Sequence, residues 1–334
     1  MALDDRKSAI LRAVVREYIE TAQPVGSAHV SRSGLGVSPA TVRNEMAVLE
    51  REGYLAQPHT SAGRVPTDKG YRFFVDQLTP QGVLAPVQRQ QVREFFAMAH
   101  GEIEQVLNDT SRLLSSLTDY AAVVVAPAHE SAAVRSVQLV SLTPRVLLAV
   151  AVLSNGSVEK RTLELADDVG DERVAAAGVH LDAHLRGRTL AGIGDDVPAT
   201  GDELTDDLVT RAHRSLIADH EVESEHVFVG GASRMAMAFD AVDTVRRVLA
   251  ILEQQYVVVS LLQEVLDRGL SVSIGAELGV ESLAECAIVV APYDVEGEPA
   301  GTIGVLGPTR MHYPEAMAAV AIVSERLSRR LSET

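Results

Sequence analysis

The chain has 334 residues, 46% of them hydrophobic and 23% charged, which excludes a low-complexity or disordered polypeptide and leaves room for two or three domains. No run approaches 18 uninterrupted apolar residues, the start Met1-Ala2-Leu3-Asp4-Asp5 lacks a signal peptide's pattern, and the single cysteine, Cys286, excludes an internal disulfide framework, so a cytoplasmic protein without a membrane span is expected. The net charge is −16, yet residues 1–75 hold 10 Lys and Arg against 8 Asp and Glu, so the amino-terminal end is the part suited to approach a polyanion.

Ile10, Leu11, Val14, Val15, Tyr18 and Ile19 recur at helical spacing and predict an amphipathic helix from Asp5 to Thr21, ended by Gln23-Pro24. A short helix over Ser27 to Ser33 follows, then the turn Gly34-Leu35-Gly36-Val37. The next helix is written locally at both ends: Ser38 caps it, Pro39 occupies its first position and Gly53 stops it. Val42, Met46 and Leu49 share one side, whereas Ala40, Arg43, Asn44, Ala47 and Arg51 lie on the other. Tyr54 to Gln57 and Arg64-Val65-Pro66 read as a hairpin across Pro58 to Gly63, with Thr67 capping a further helix. Three helices followed by such a hairpin spell a winged helix-turn-helix.

The side chains of this unit suit a nucleic acid. Arg43 can bond guanine O6 and N7, and Asn44 adenine N6 and N7, pairs that each discriminate by about 1 to 3 kcal/mol. Thr60, Ser61, Arg64 and Thr67 are donors suited to phosphates, with Arg64 the favoured wing contact. The candidate DNA-binding residues are therefore Ser38, Thr41, Arg43, Asn44, Thr60, Ser61, Arg64 and Thr67. The plainer reading, that Arg43 and Asn44 are solvated residues of an ordinary helix, is outweighed by the two-glycine turn before them and the donor-rich hairpin after.

Beyond this unit, residues 86–119 carry apolar positions without an internal proline and predict one long helix or two shorter ones as a spacer. Strands are expected over 121–127, 134–142, 146–153 and 157–165, with Ser154-Asn155-Gly156 turning between the last two. From Thr244 to Asp267 a helix is apolar on more than one side, so a subunit partner or a sheet of its own chain must cover it. Ala287 to Tyr293 and Thr302 to Leu306 are expected to pair across Glu296-Gly297, and a helix from Pro314 to Leu331 closes the chain.

Ser38 to Met46, then Gly53-Tyr54-Leu55, then Gln57 through Phe73, and Gly301 through Met311 at the far end, together resemble the heat-inducible transcription repressor family, HrcA. The resemblance spans the chain and implies an α+β multidomain protein: a winged helix-turn-helix over 1–78, a GAF-like domain in two parts at 79–166 and 256–334, and an inserted dimerising domain at 167–255. It further implies a homodimer that represses chaperonin and related heat-shock genes by binding an inverted-repeat operator in double-stranded DNA. The chaperonin would help the repressor reach its active fold, and heat would release repression. The competing expectation is a winged-helix regulator controlled by a small ligand in the GAF-like domain.

Catalytic and metal readings find no support. His180 and His184 stand one helical turn apart, but Leu181 occupies the position a zinc-protease glutamate needs and no cysteine is near. The acidic pairs Asp167-Asp168, Asp195-Asp196 and Asp206-Asp207 point to different sides of any regular element. Gly301, Gly304 and Gly307 make no dinucleotide loop and read as relief for close packing, and Gly230-Gly231-Ala232-Ser233 contains no nucleophile elbow. No enzyme and no cofactor are expected.

Overall fold

The computed structural model describes residues 3–59, 62–78, 84–99, 102–126, 132–154, 158–189, 197–217, 227–234, 239, 242–252, 254, 262 and 269–333. Its amino-terminal head comprises α1 (Asp5–Thr21), α2 (Ser27–Arg32), α3 (Pro39–Arg51), the short strands β1 (Leu55–Ala56) and β2 (Val65–Pro66), and α4 (Asp68–Asp76). Asp4 caps α1 by accepting from the Lys7 amide, and Ile10, Leu11, Val14, Val15 and Ile19 bury its apolar side. Val42, Met46 and Leu49 of α3 are buried in the same core. Gly53 adopts φ +79°, and the Tyr54 amide donates back to Leu49 O at 2.9 Å, a left-handed cap that ends α3 where the sequence placed its stop. β1 and β2 pair antiparallel, and Val25 adds an isolated bridge to Arg64, so the hairpin is anchored to the segment before α2.

That bridge explains Gly63. A methyl there would overlap the carbonyl of Val25, which is backbone and has nowhere to retreat. Gly63→Ala is therefore expected to lower stability by about 1–3 kcal/mol through overpacking, read as a drop in the thermal midpoint.

The remainder runs α5 (Pro86–Met98), α6 (Ile103–Thr118), β3 (Ala121–Val125), β4 (Val134–Thr143), β5 (Val146–Leu153), β6 (Val158–Glu164), α7 (Asp171–Leu185), α8 (Glu203–Ile217) and β7 (Val227–Gly230). It ends with α9 (Val242–Leu252), β8 (Ser271–Ile274), two short 3-10 turns at 275–278 and 281–283, β9 (Cys286–Val295), β10 (Glu298–Pro308) and α10 (Tyr313–Ser332). Five strands form an antiparallel sheet in the order β7-β3-β10-β9-β8, and the other three form a separate sheet in the order β4-β5-β6.

Every residue of β3 is buried because the larger sheet is covered on both faces. Ala122 and Val124 join the core with α6 and α10, while Ala121, Val123 and Val125 face a second cluster that includes Val248, Ile251 and Leu252 of α9. β9 and β10 form the expected hairpin, with Glu296 and Gly297 both at positive φ in its turn. Gly301, Gly304 and Gly307 lie where an added methyl would strike Val125, Val289 or Tyr120, so they permit close packing, as the sequence implied. Cys286 is buried, and burial pushes its thiol up to about 12, far from a reactive thiolate.

The spacer expected over 86–119 is two helices folded back against this domain. Gln88 Nε2 donates to Leu117 O at 3.1 Å, and Arg330 Nε of α10 donates to Ala99 O at 2.8 Å. Strand pairing also draws the insertion differently from the sequence expectation. β4, β5 and β6, assigned from sequence to the first part of the GAF-like domain, share a core with α7 and α8, whereas β7, assigned to the insertion, lies beside β3 in the larger sheet. The excursion therefore runs between β3 and β7. Its central strand β5 reads as apolar as those of the larger sheet, and only the pairing partner tells it apart.

α7 and α8 cover one face of the smaller sheet, meeting Leu147, Ala149, Ala151 and Leu153. On the opposite face Val146, Leu148, Val150 and Val152 are half-buried, flanked by exposed Val140, Leu142 and Val158. The long apolar helix expected over 244–267 is described continuously only as far as Leu252, with Leu262 buried in the same cluster, and apart from Gln254 the rest of that expectation, like Thr60, Ser61 and Asn155-Gly156, lies outside the described residues.

Candidate nucleic-acid interface

α3 presents a one-sided surface. Its buried triad faces α1, and on the far side Ala40, Arg43, Asn44 and Arg51 are exposed. Arg43 and Asn44 make no hydrogen bond or ion pair with any described residue. Ser38 accepts from the Thr41 amide at 3.1 Å, and the two hydroxyls lie 2.9 Å apart, so both of these candidates organise the first turn of the helix. Ser38→Ala is expected to cost about 1 kcal/mol of stability, measurable by denaturant unfolding, because an N-cap acceptor is lost.

The hairpin is bound to α3 from the other end. Arg64, expected to point at a phosphate, instead turns inward: its Nε lies 2.9 Å and its Nη2 2.8 Å from one carboxylate oxygen of Glu50. Its main chain is meanwhile paired with Val25. Thr67 is engaged as well, donating to Gly53 O at 2.7 Å and accepting from the Gly70 amide at 3.2 Å. Lys69 donates to Glu52 O at 2.8 Å and sits 4.3 Å from the Tyr54 ring centre, a cation placed at the carboxyl end of α3. The structure thus gathers Ser38, Thr41, Arg43 and Asn44 on one helix, with Arg64 and Thr67 bracing the hairpin beside it. Glu50 and Lys69 escaped the sequence reading, since Glu50 meets Arg64 across 14 positions and Lys69 reaches the Glu52 carbonyl across 17, separations that leave no periodic trace.

The other histidine and acidic candidates among the described residues are structural, and Asp195-Asp196 lies outside them. His180 Nε2 lies 2.6 Å from Pro198 O, His184 and His213 make an edge contact between α7 and α8, and no cluster of three metal-ligating residues exists among the described residues. Asp182 accepts from the Val137 amide at 2.8 Å, a bond that holds its carboxyl below the usual range and ties α7 to β4. Asp168 pairs with Arg145, and Asp206 accepts from Thr200. Among the described residues no helix is long and apolar enough to cross a membrane.

Comparison with known proteins fixes the setting of this surface. A family model described as the HrcA protein C terminal domain matches residues 104–317. Proteins called heat-inducible transcription repressor HrcA align along almost the whole chain. The one from Mycobacteroides abscessus is 42% identical over 331 residues, covering 96% of each chain. Those from Nocardioides sp. and Pelotomaculum thermopropionicum are 42% identical over 345 residues and 38% over 344, each covering at least 97% of both chains. A crystal structure of a hypothetical protein superimposes over 99% of both chains with 26% identity and a TM-score of 0.71. Repressors of transcription, rather than enzymes, are therefore the class to which this architecture belongs. Within it, the chain is a member of the HrcA family of heat-inducible transcription repressors.

Proposed function

We propose that the protein is a homodimeric repressor whose head is a winged helix-turn-helix, and that its two α3 helices read the halves of an inverted-repeat operator upstream of chaperonin and related heat-shock genes. The reading rests on the outward side of α3, where a guanidinium and a carboxamide with bidentate base-pairing geometry stand exposed and unengaged. Ser38, Thr41, Thr60, Ser61 and Thr67 support the approach to the phosphates. Arg64 remains the wing contact by exchanging Glu50 for a backbone phosphate on binding. Arg64→Ala is accordingly expected to weaken binding to all sequences alike and to reduce the slope of log K against log salt by about one, and a loss confined to one sequence would contradict the assignment.

A twofold operator calls for a twofold protein, and the apolar face of the β4-β5-β6 sheet is the surface we assign to the second copy. The five-stranded domain is the GAF-like part. Described side chains fill both faces of its sheet, which favours a domain that works without a small ligand over the ligand-controlled alternative. The protein acts in the cytoplasm without a cofactor, and the chaperonin sustains the DNA-competent state. Heat diverts the chaperonin, the competent fraction falls, and apparent affinity falls with it. A gel shift on the inverted repeat, with and without chaperonin across temperature, tests target and mechanism together. Binding to the repeat that is strengthened by chaperonin supports the reading, and equal retention of unrelated duplexes sinks it.

A further inference from the structure

The head meets the rest of the molecule through α4. Tyr71, Phe74 and Val75 of that helix are buried, while Asp68 and Arg72, one turn apart, face the turn that follows β8. Asp68 accepts from the Ala276 amide at 3.1 Å. Arg72 forks onto Glu277, with Nε 2.9 Å from one carboxylate oxygen and Nη2 on the other, and Nη2 also donates to Val272 O at 2.6 Å. Glu277 is itself held in place, accepting from the Ile274 amide at 2.9 Å. Gly275 completes the socket: its φ is +55°, and a methyl there would overlap the Asp68 carboxylate.

Two anchor points one turn apart on a helix resist both its tilt and its rotation, and a forked arginine–carboxylate pair is directional as well as strong. The apolar part of the same seam is less well matched. Tyr71 lies against Tyr313 with ring centres 6.1 Å apart, yet its buried hydroxyl makes no hydrogen bond. Packing joins head and body in one buried cluster, and the polar contacts add a fixed direction to it.

We infer that Asp68 and Arg72, with Gly275 and Glu277 opposite them, are positioning residues that determine which half-site spacing the repressor accepts. This rests on the dimeric operator reading proposed above. Half-sites must sit about one helical turn apart or a multiple of it, and each added base pair moves a half-site by about 3.4 Å. A head clamped at a fixed angle tolerates one spacing. A head freed at α4 follows its half-site and tolerates several.

The test compares wild type with Arg72→Gln on the head side and with Glu277→Gln and Gly275→Ala on the body side, the last removing no charge. Binding is measured to the inverted repeat, to the same repeat with the spacer two base pairs longer or shorter, and to an isolated half-site. Wild type should lose at least about tenfold on the altered spacers and the variants less than about threefold, with half-site binding unchanged. A second arm reads the head directly, as the distance distribution between spin labels on Arg51→Cys and Glu325→Cys in labelled chains diluted with unlabelled ones. It should be narrow in wild type and broad in each variant. Variants that keep wild-type spacing discrimination, or a narrow distribution, overturn the inference. Equal loss on every duplex, half-site included, also overturns it, because that marks damage to the head. A wild type that binds neither half-site nor repeat removes the operator reading instead, and the distance arm still decides whether the clamp holds the head.

Discussion

Arg43→Ala is expected to lower affinity for the inverted repeat by about 1–3 kcal/mol per half-site, and Asn44→Ala by a similar amount, because each removes one bidentate base contact. On the proposed twofold operator both halves lose the contact together, about 2–6 kcal/mol in all, so affinity should fall by about thirtyfold or more, with binding to unrelated duplexes little changed. Folding should be unaffected, as both side chains are exposed and make no hydrogen bond or ion pair with a described residue. Footprinting on the repeat, with circular dichroism as the control for folding, separates the outcomes. A protected operator that persists in both variants would remove α3 from the reading role.

The second large effect concerns assembly. Leu148 and Val150 stand at the centre of the exposed face of the smaller sheet, directly opposite Val140 and Gln138 on β4. Val150→Asp places a carboxylate there. On a solvated face the change is nearly silent, whereas inside a subunit interface it buries a carboxylate beside Lys160, whose ammonium Glu102 already engages, a penalty of several kcal/mol that the protein avoids by not associating. On the proposed assembly, sedimentation should therefore show a dimer for wild type and a monomer for the variant, together with loss of binding to the full repeat and retention of weak half-site binding. A dimer that survives Val150→Asp places the subunit contact elsewhere.

The head was largely legible before any coordinates. Ser38, Pro39 and Gly53 are local signals, and the caps they imply are present, as is the burial of Val42, Met46 and Leu49. Caps and helical periodicity act within a turn or two, so one stretch of chain is enough to reveal them. The inward turn of Arg64 toward Glu50 was not legible, because a donor-rich loop is equally compatible with a phosphate and with a neighbouring carboxylate. Nor was the excursion between β3 and β7. β5 carries the same β-branched, apolar composition as β3 and β9, and which sheet a strand joins is decided by contacts far along the chain. The clamp at α4 lies furthest out of reach: Arg72 and Glu277 are separated by 205 positions, and each alone looks like a surface charge.

The register Val125↔Val227 has a topological consequence. The excursion carrying β4, β5, β6, α7 and α8 departs and returns at partnered residues of adjacent strands, so to the larger sheet that lobe is a single hairpin loop. Loop-closure entropy rises only logarithmically with length, about 0.6 kcal/mol per doubling, so the sheet is nearly indifferent to what the loop contains. The lobe is thus a cartridge: it can be enlarged, exchanged or excised at its two joined ends without disturbing the ladder that remains.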